Sequence, residues 1–294
     1  MPSPLRLARL LLAACACFSC VGGCVGAAAT GTAPPNAGSE PPAPATAVAP
    51  GEPPTLLLAA HMQPPGPGDR DYILPVRGVV HLLFSRPIDP LSVGPQHFVL
   101  VLGNGHRVIP VGVFLGAGVE PGEARSLALM LAEPAKAEPP KSAAATGNPA
   151  SPPAEPPSDP ISVTITGLLH DADGRVLEGL ALDVAPAARP VFPVRAEPAT
   201  GLTCAGFEQA LRVFWSAPVH RPESAPSPLV GRSDGTRRPA EGVDDDDDPA
   251  ADGVLDFCLR GPAAATGIEL PAGAAVDLRG APTAAGVLQV SPVP

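Results

Sequence analysis

From residue 55 onward, this chain is a series of short apolar runs separated by turn signals, which limits the folds available to it. Segments such as RGVVHLLFS at 77–85 have the length and apolar character of single β-strands, and no stretch spaces its apolar residues as an amphipathic helix requires. Strands are predicted at 55–62, 77–85, 96–102, 106–115, 126–132, 161–168 and 179–184. Short strands at regular spacing predict a β-sandwich over residues 55–186.

Turn residues separate these predicted strands, and one long segment interrupts them. The tripeptide GNG at 103–105 supplies the positive-φ residues of a tight hairpin turn. The segment HDADG at 170–174 marks another turn, in which Gly174 is free to adopt a left-handed conformation. Residues 133–160 are rich in Pro, Ala, Glu and Ser, and they predict a disordered insertion because a structured loop of this length is uncommon.

A second set of short runs begins near Val191 and predicts another small β-sandwich domain over residues 190–294. Its strands are predicted at 191–196, 209–217, 228–231, 236–243, 253–260, 267–270, 274–279 and 286–290. Phe214 and Trp215 are neighbours on one of these strands, so their side chains point to opposite faces, and one of them is expected in the core.

Two phrases in the first set carry a resemblance to a known fold family. The phrase VVHLLFSRPIDP at 79–90 is an apolar strand that leads into a turn, and ITGLLHDADGRVLEG at 165–179 is a late strand with its turn. Together they resemble the bacterial Ig-like domains of the SbsA type. The segment LRVFWSAPV at 211–219 repeats part of the first phrase, without the Asp-Pro that should follow. The resemblance implies an all-β protein with two Ig-like β-sandwich domains, and it implies no catalytic residues.

The first two dozen residues have the layout of a secretory signal. Arg6 and Arg9 form a basic start, an apolar stretch runs from Leu10 to about Val21, and small residues then lead to Cys24. The apolar stretch is shorter than the roughly 20 residues of a membrane-spanning helix. We therefore expect a signal peptide over residues 1–23.

The block VGGC at 21–24 resembles the lipobox of bacterial lipoproteins. In that family the cysteine is acylated and the chain is cleaved just before it, so the resemblance implies a lipid on Cys24 that holds the protein on a membrane. LAAC at 12–15 is the better local match to a lipobox, but Cys15 would leave too short an apolar core. Cys17 and Cys20 have poorer small-residue contexts, since Phe18 lies two residues before Cys20 where a small side chain is expected. Plain secretion after an ordinary signal peptide is the alternative.

The residues that follow the signal predict a tether and a location. Residues 24–54 consist almost wholly of Ala, Pro, Gly, Thr and Ser, and they cannot bury enough apolar surface to offset the entropy of ordering. They are predicted to be a disordered tether. In lipoproteins of this kind an Asp after the lipidated cysteine favours retention in the inner membrane, and Val25 occupies that position here. The predicted location is the cell envelope, at the outer membrane if the cell has two membranes.

The cysteine count predicts a disulfide bond. The chain has six cysteines, of which three leave with the signal and Cys24 takes the lipid. Cys204 and Cys258 remain, and in an exported protein such a pair forms a disulfide by default. Two buried free thiols are the alternative.

An acidic run in the second set offers candidate metal ligands. Four carboxylates take positions 1, 3, 5 and 9 of a calcium loop, namely Asp244, Asp246, Asp248 and Asp252. Pro249 replaces the glycine of such a loop, and Leu255 stands where its glutamate belongs. The two interpretations are weak Ca²⁺ binding and a solvated loop held open by charge repulsion.

Composition and motif content argue against nucleic-acid binding and catalysis. The chain has 19 basic and 29 acidic residues and no Lys/Arg cluster with interleaved aromatics, so nucleic acid is not an expected partner. No motif for a zinc, phosphate, nucleophile-elbow or dinucleotide site occurs, so we expect neither catalysis nor a cofactor. The expected function is a structural or protein-interaction role in the envelope. The alternative is an envelope protein that binds Ca²⁺ or glycan through the loop 244–252.

Overall fold

Alternating buried and exposed side chains build this chain into β-strands. The computed structural model describes residues 53–64, 76–115, 123–133, 158–199, 204–244 and 253–292. Within these ranges the regular structure consists of β-strands and short 3-10 turns, without an α-helix, so the all-β class is confirmed. The predicted signal peptide 1–23 lies outside the described residues, as do most of the tether 24–54 and most of the insertion 133–160.

The first half of the protein, residues 53–188, has eight strands among its described residues. They are β1 (Leu57–Gln63), β2 (Val76–Phe84), β3 (Phe98–Leu102), β4 (Arg107–Val108), β5 (Gly112–Leu115), β6 (Ser126–Ala132), β7 (Pro160–Ile165) and β8 (Ala181–Asp183). One antiparallel sheet has the order β1-β2-β6-β5, and the other has the order β4-β3-β7-β8.

Both sheets of the first half contribute to one hydrophobic core. On β2, Leu82 and Phe84 alternate with residues of the opposite face, and both are buried in this core. Leu100 of β3 and Val163 of β7 fill the core from the other sheet. Two sheets packed face to face are sandwich-like, and each fully buried side chain of this kind contributes about 1.5–3 kcal/mol.

The second half, residues 189–292, has ten strands among its described residues. They are β9 (Pro193–Pro198), β10 (Gln209–Trp215), β11 (Val219–His220), β12 (Leu229–Arg232), β13 (Arg237–Pro239), β14 (Gly242–Asp244), β15 (Val254–Leu259), β16 (Ala265–Leu270), β17 (Val276–Asp277) and β18 (Gly286–Gln289). Two antiparallel sheets have the orders β14-β15-β10-β9 and β13-β12-β16-β18, and β11 pairs with β17. A second core forms between them, around Trp215, Phe257 and Ile268.

The two halves repeat one strand order. The sheet β9-β10-β15-β14 of the second half has the same strand order as the sheet β1-β2-β6-β5 of the first half. The sheet β13-β12-β16-β18 likewise matches the sheet β4-β3-β7-β8. Even a local irregularity is shared, because Leu58 on β1 and Val194 on β9 are both skipped in the pairing with the next strand. The second half thus repeats the strand order of the first, although the two halves share little sequence.

One segment in each half crosses between the two sheets, where the sequence predicted a single strand. Residues 106–115 divide into β4, which pairs with β3, and β5, which pairs with β6. Pro110 lies between them and has no N–H to donate to a ladder. Residues 236–243 divide in the same way into β13 and β14, and Pro239 ends β13.

A third apolar cluster joins the two halves. Ala59 and Leu83 lie on the face of the first-half sheet that points away from its core, and Phe214 and Val254 lie on the corresponding face of the second half. All four side chains are buried. Phe214 and Trp215 are therefore both buried, Trp215 in the core and Phe214 in this joint.

Candidate functional site

The two phrases singled out in the sequence lie side by side at one end of the first half. Ile88 and Asp171 form an isolated antiparallel bridge, although they are far apart in the chain. The backbone N–H of Asp89 donates to the carbonyl of His170 at 3.0 Å. Arg86 forms an ion pair with Asp173, with 2.6 Å between Nη1 and Oδ2. These contacts show that both phrases build the same end of the fold.

Asp171 organises the turn at this end. Its Oδ1 accepts the backbone N–H groups of Asp173 at 3.0 Å and Arg175 at 2.9 Å, and its Oδ2 accepts the Thr55 hydroxyl at 2.5 Å. Gly174 has a φ of 80°, which a residue with a side chain rarely adopts. The carboxylate of Asp171 is thus occupied by the turn and by the start of β1, which is a structural role.

A pocket of about 340 Å³ lies beside this turn. Its lining residues are Asp89, Leu91, Ser92, Val93, Gln96, His97, Leu168 and His170. Asp89 is the only carboxylate among them, and the lining includes neither lysine nor arginine. A pocket of this volume falls in the range that accommodates ligands or side chains of a partner.

The walls of the pocket are held by specific local structure. Asp89 Oδ1 accepts the backbone N–H of Leu91 at 3.0 Å, which caps the short 3-10 turn Pro90–Ser92. Gly167 allows the His97 ring to approach closely, because a Cβ at residue 167 would lie 2.8 Å from that ring. Leu91 is 95% exposed and Leu168 is 62% exposed, so two leucines of the pocket lining project into solvent.

The second half contains the counterpart of the Asp171 turn. Val219 pairs with Asp277, as Ile88 pairs with Asp171. Asp277 Oδ1 accepts the backbone N–H groups of Arg279 at 2.9 Å and Ala281 at 2.8 Å. Gly174 follows Asp171 at the same spacing as Gly280 follows Asp277. This shared spacing is a sequence signal for the repeat that the resemblance of LRVFWSAPV to the first phrase did not include.

Comparisons with family models, curated proteins and solved structures found no match for this chain.

Cys204 and Cys258 form a disulfide bond with a Cα–Cα distance of 5.3 Å. Both residues are buried, and the bond joins positions 54 residues apart. In the chain-entropy description, a loop of this length stabilises the fold by about 4 kcal/mol at most. Beside the bond, Arg212 and Asp256 form a buried bidentate ion pair across β10 and β15.

The acidic loop is only partly described. Asp244 ends β14, and its Oδ2 accepts the backbone N–H of Cys204 at 2.7 Å. Asp246, Asp248 and Asp252 lie outside the described residues, as does Cys24. Within the part of the chain that is described, no group of three or more His, Cys, Asp or Glu side chains is placed to hold a metal ion. Trp215 is 1% exposed, so its ring is not available to stack on a sugar.

A polar contact that the sequence did not indicate crosses the joint between the halves. His61 on β1 lies with its Nδ1 3.0 Å from the hydroxyl oxygen of Ser216, and that oxygen also accepts the backbone N–H of Phe192 at 3.1 Å. Burial, together with the nearby Arg189, lowers the pKa of His61 to about 4. Burial and the neighbouring His61 lower the pKa of His81, its cross-strand partner on β2, to about 3.

A buried ion pair lies near the same joint. Arg125 Nη1 is 3.0 Å from Glu197 Oε2, and the Arg195 Nε is 2.9 Å from the same oxygen. The guanidinium of Arg125 also lies over the ring of Phe214, 5.0 Å from its centre. Arg125 belongs to the first half and Glu197 to the second, so a shared carboxylate links the halves.

Among the described residues, no helix is long and apolar enough to cross a membrane.

Proposed function

We propose that this chain is a lipid-anchored protein of the cell envelope with a structural or protein-interaction role. In this proposal, lipid on Cys24 attaches it to the membrane, and two Ig-like β-sandwich domains of the SbsA type follow the predicted tether. The observation that carries the proposal is the block VGGC at 21–24, placed at the end of an apolar stretch with a basic start.

The repeated strand order supports the choice of two domains of one kind. The sandwich architecture is shared by many cell-surface domains. The two halves also share a strand irregularity and an aspartate turn, so their common strand order is not a coincidence.

The place where the chain reaches the first half also supports the proposal. The carbonyl of Pro53 accepts a hydrogen bond from Arg175 at 3.2 Å, and Thr55 bonds to Asp171. The segment that leads from Cys24 therefore joins the fold at the end that carries the pocket and the exposed leucines Leu91 and Leu168. Exposed apolar side chains around a pocket favour an interaction role.

Metabolic labelling with palmitate, followed by membrane fractionation, tests the anchor. The wild-type protein is expected to carry label and to remain with the membrane, whereas the Cys24→Ala variant loses both. Cys20→Ala is the matched control, because it removes a neighbouring cysteine of the predicted signal and should behave as wild type. Label and membrane association that persist in Cys24→Ala would overturn the proposal.

A further inference from the structure

The repeated fold allows the pocket of the first half to be compared with the same place in the second half. The pairs Ile88–Asp171 and Val219–Asp277 mark corresponding points at the end of each half. Leu168 lies three residues before Asp171, as Ala274 lies three residues before Asp277. The surroundings of Ala274 therefore correspond to the surroundings of Leu168 in the pocket.

In the second half this place is filled by an arginine of the chain itself. Arg221 Nη1 donates to the carbonyl of Ala274 at 3.0 Å and to that of Pro226 at 3.3 Å, and its Nη2 donates to the carbonyl of Ala225 at 3.2 Å. The guanidinium carbon lies 5.8 Å from the centre of the Phe257 ring. One end of the second half is thus built around a guanidinium group.

The loop residues around Arg221 also have counterparts in the pocket. Val230 pairs with Ile268 as Leu100 pairs with Val163. When Val230 is aligned with Leu100, the residues five and four positions earlier correspond as well: Ala225 to Pro95 and Pro226 to Gln96. Gln96 lines the pocket, so one of the two loop residues whose carbonyls hold Arg221 has its counterpart at the pocket wall.

At two equivalent positions the first half has a different residue from the second half. Pro90 stands where the second half has Arg221, so the first half brings no guanidinium of its own to that position. Asp89 stands where the second half has His220, and Asp89 lines the pocket. The first half therefore combines the corresponding backbone with a negative charge and a pocket of about 340 Å³.

We infer that the pocket of the first half binds the arginine side chain of a partner protein. The Asp89 carboxylate accepts from the guanidinium while it continues to cap Leu91, because a carboxylate has about four lone-pair sites. The exposed side chains of Leu91 and Leu168 contact the aliphatic part of the arginine and its apolar neighbours. This inference rests on the proposed interaction role and names the chemistry of the partner.

An NMR titration of the purified full chain with N-acetyl-arginine amide tests the inference. N-acetyl-citrulline amide is the matched probe, since it has nearly the same shape and no charge. We expect saturable shifts of the backbone amides of Leu91, His97 and Leu168, with a dissociation constant in the millimolar range and about tenfold weaker binding of the citrulline probe, a loss typical of one charged hydrogen-bonded contact.

Variants of the pocket sharpen the result. Asp89→Asn keeps an oxygen that caps Leu91 but loses the charge, and it should weaken binding of the arginine probe about tenfold. Leu168→Lys places a positive charge at an exposed rim position and should block the probe, which provides a second test if Asp89→Asn folds poorly. Asp183→Asn, at an exposed position of β8, is the control and should bind as wild type.

The inference is overturned by an absence of saturable shifts at these amides, by equal affinity for the arginine and citrulline probes, or by unchanged binding to both Asp89→Asn and Leu168→Lys. Its failure is separable from failure of the anchor. The palmitate experiment does not involve the pocket, and Cys24→Ala protein should bind the arginine probe as wild type does.

Discussion

His61 places a titratable imidazole in the buried joint between the halves. It is 1% exposed, and Arg189, Arg279 and Asp277 are the charged groups that act on it, along with the neutral His81 across the strand pair. A charged imidazole would lose its hydration here and would lie close to two arginines. The pKa of His61 therefore falls from 6.5 to about 4.

This depressed pKa predicts a loss of stability in mild acid. Above pH 6.5 the imidazole is neutral in both states, and between pH 6.5 and 4 the unfolded chain binds a proton that the folded chain does not. The free energy of unfolding should therefore fall by about 1.5 kcal/mol between pH 6.5 and 5 from His61 alone. Urea denaturation at these two pH values measures the fall.

A variant isolates the contribution of His61. His61→Gln cannot titrate, so its unfolding free energy should fall less between pH 6.5 and 5 than that of the wild type. His106→Gln, at an exposed turn, is the control and should keep the wild-type pH dependence. An unchanged pH dependence in His61→Gln would contradict this account of the joint.

The aspartate turn recurs in both halves as a local unit that ties a late segment to the end of an early strand. Burial alone would raise the pKa of Asp277, yet the hydrogen bonds from the Arg279 side chain and from the backbone N–H groups of Ala281 and Arg279 outweigh it and hold the pKa below its usual value. Gly280 provides the positive φ that closes the turn. The carboxylate thus stabilises the turn rather than serving as a reactive group.

Removing this carboxylate should destabilise the second half. Asp277→Ala leaves the backbone N–H groups of Arg279 and Ala281 without their acceptor, and we expect a loss of about 2–3 kcal/mol in the free energy of unfolding. Asp277→Asn keeps one acceptor oxygen and should lose less. Asp234→Ala, which alters an exposed turn, should cost much less, and chemical denaturation that ranks it equal to Asp277→Ala would contradict this role.

The strands could be predicted from the sequence because each is coded by a short local pattern. The predicted strand at 126–132 coincides with β6. The crossing between sheets at 106–115 and 236–243 was missed, because the apolar pattern continues through the crossing while the pairing partner changes. Pro110 and Pro239 were the local signals that could have divided these strands.

The molecule as a whole is held together by a joint whose members are distant in the chain. Ala59 and Leu83 meet Phe214 and Val254, and Arg125 shares the carboxylate of Glu197 with a second arginine. Sequence periodicity assigns a residue to a face of its strand, but it does not say which other sheet covers that face. The disulfide could be predicted from the number of cysteines. The His61–Ser216 contact could not be predicted, because the two residues are 155 positions apart and no sequence pattern links them.

Weakening the joint should uncouple the halves without unfolding either core. Leu83 is buried in the joint, and Leu83→Asn places a polar group there. We expect calorimetry to show one unfolding transition for the wild type and two for this variant. Leu82→Asn is the matched control on the adjacent residue, whose side chain lies in the core of the first half. It should lower the stability of the first half itself, and a single transition in Leu83→Asn would contradict the coupling.

The attachment of the molecule to a membrane is most directly tested by mass spectrometry of the N-terminal peptide from membrane-extracted protein. The proposed function predicts a peptide that begins at Cys24 and carries the added mass of fatty-acyl groups. A mature chain that begins at another residue, or a Cys24 without lipid, would contradict it.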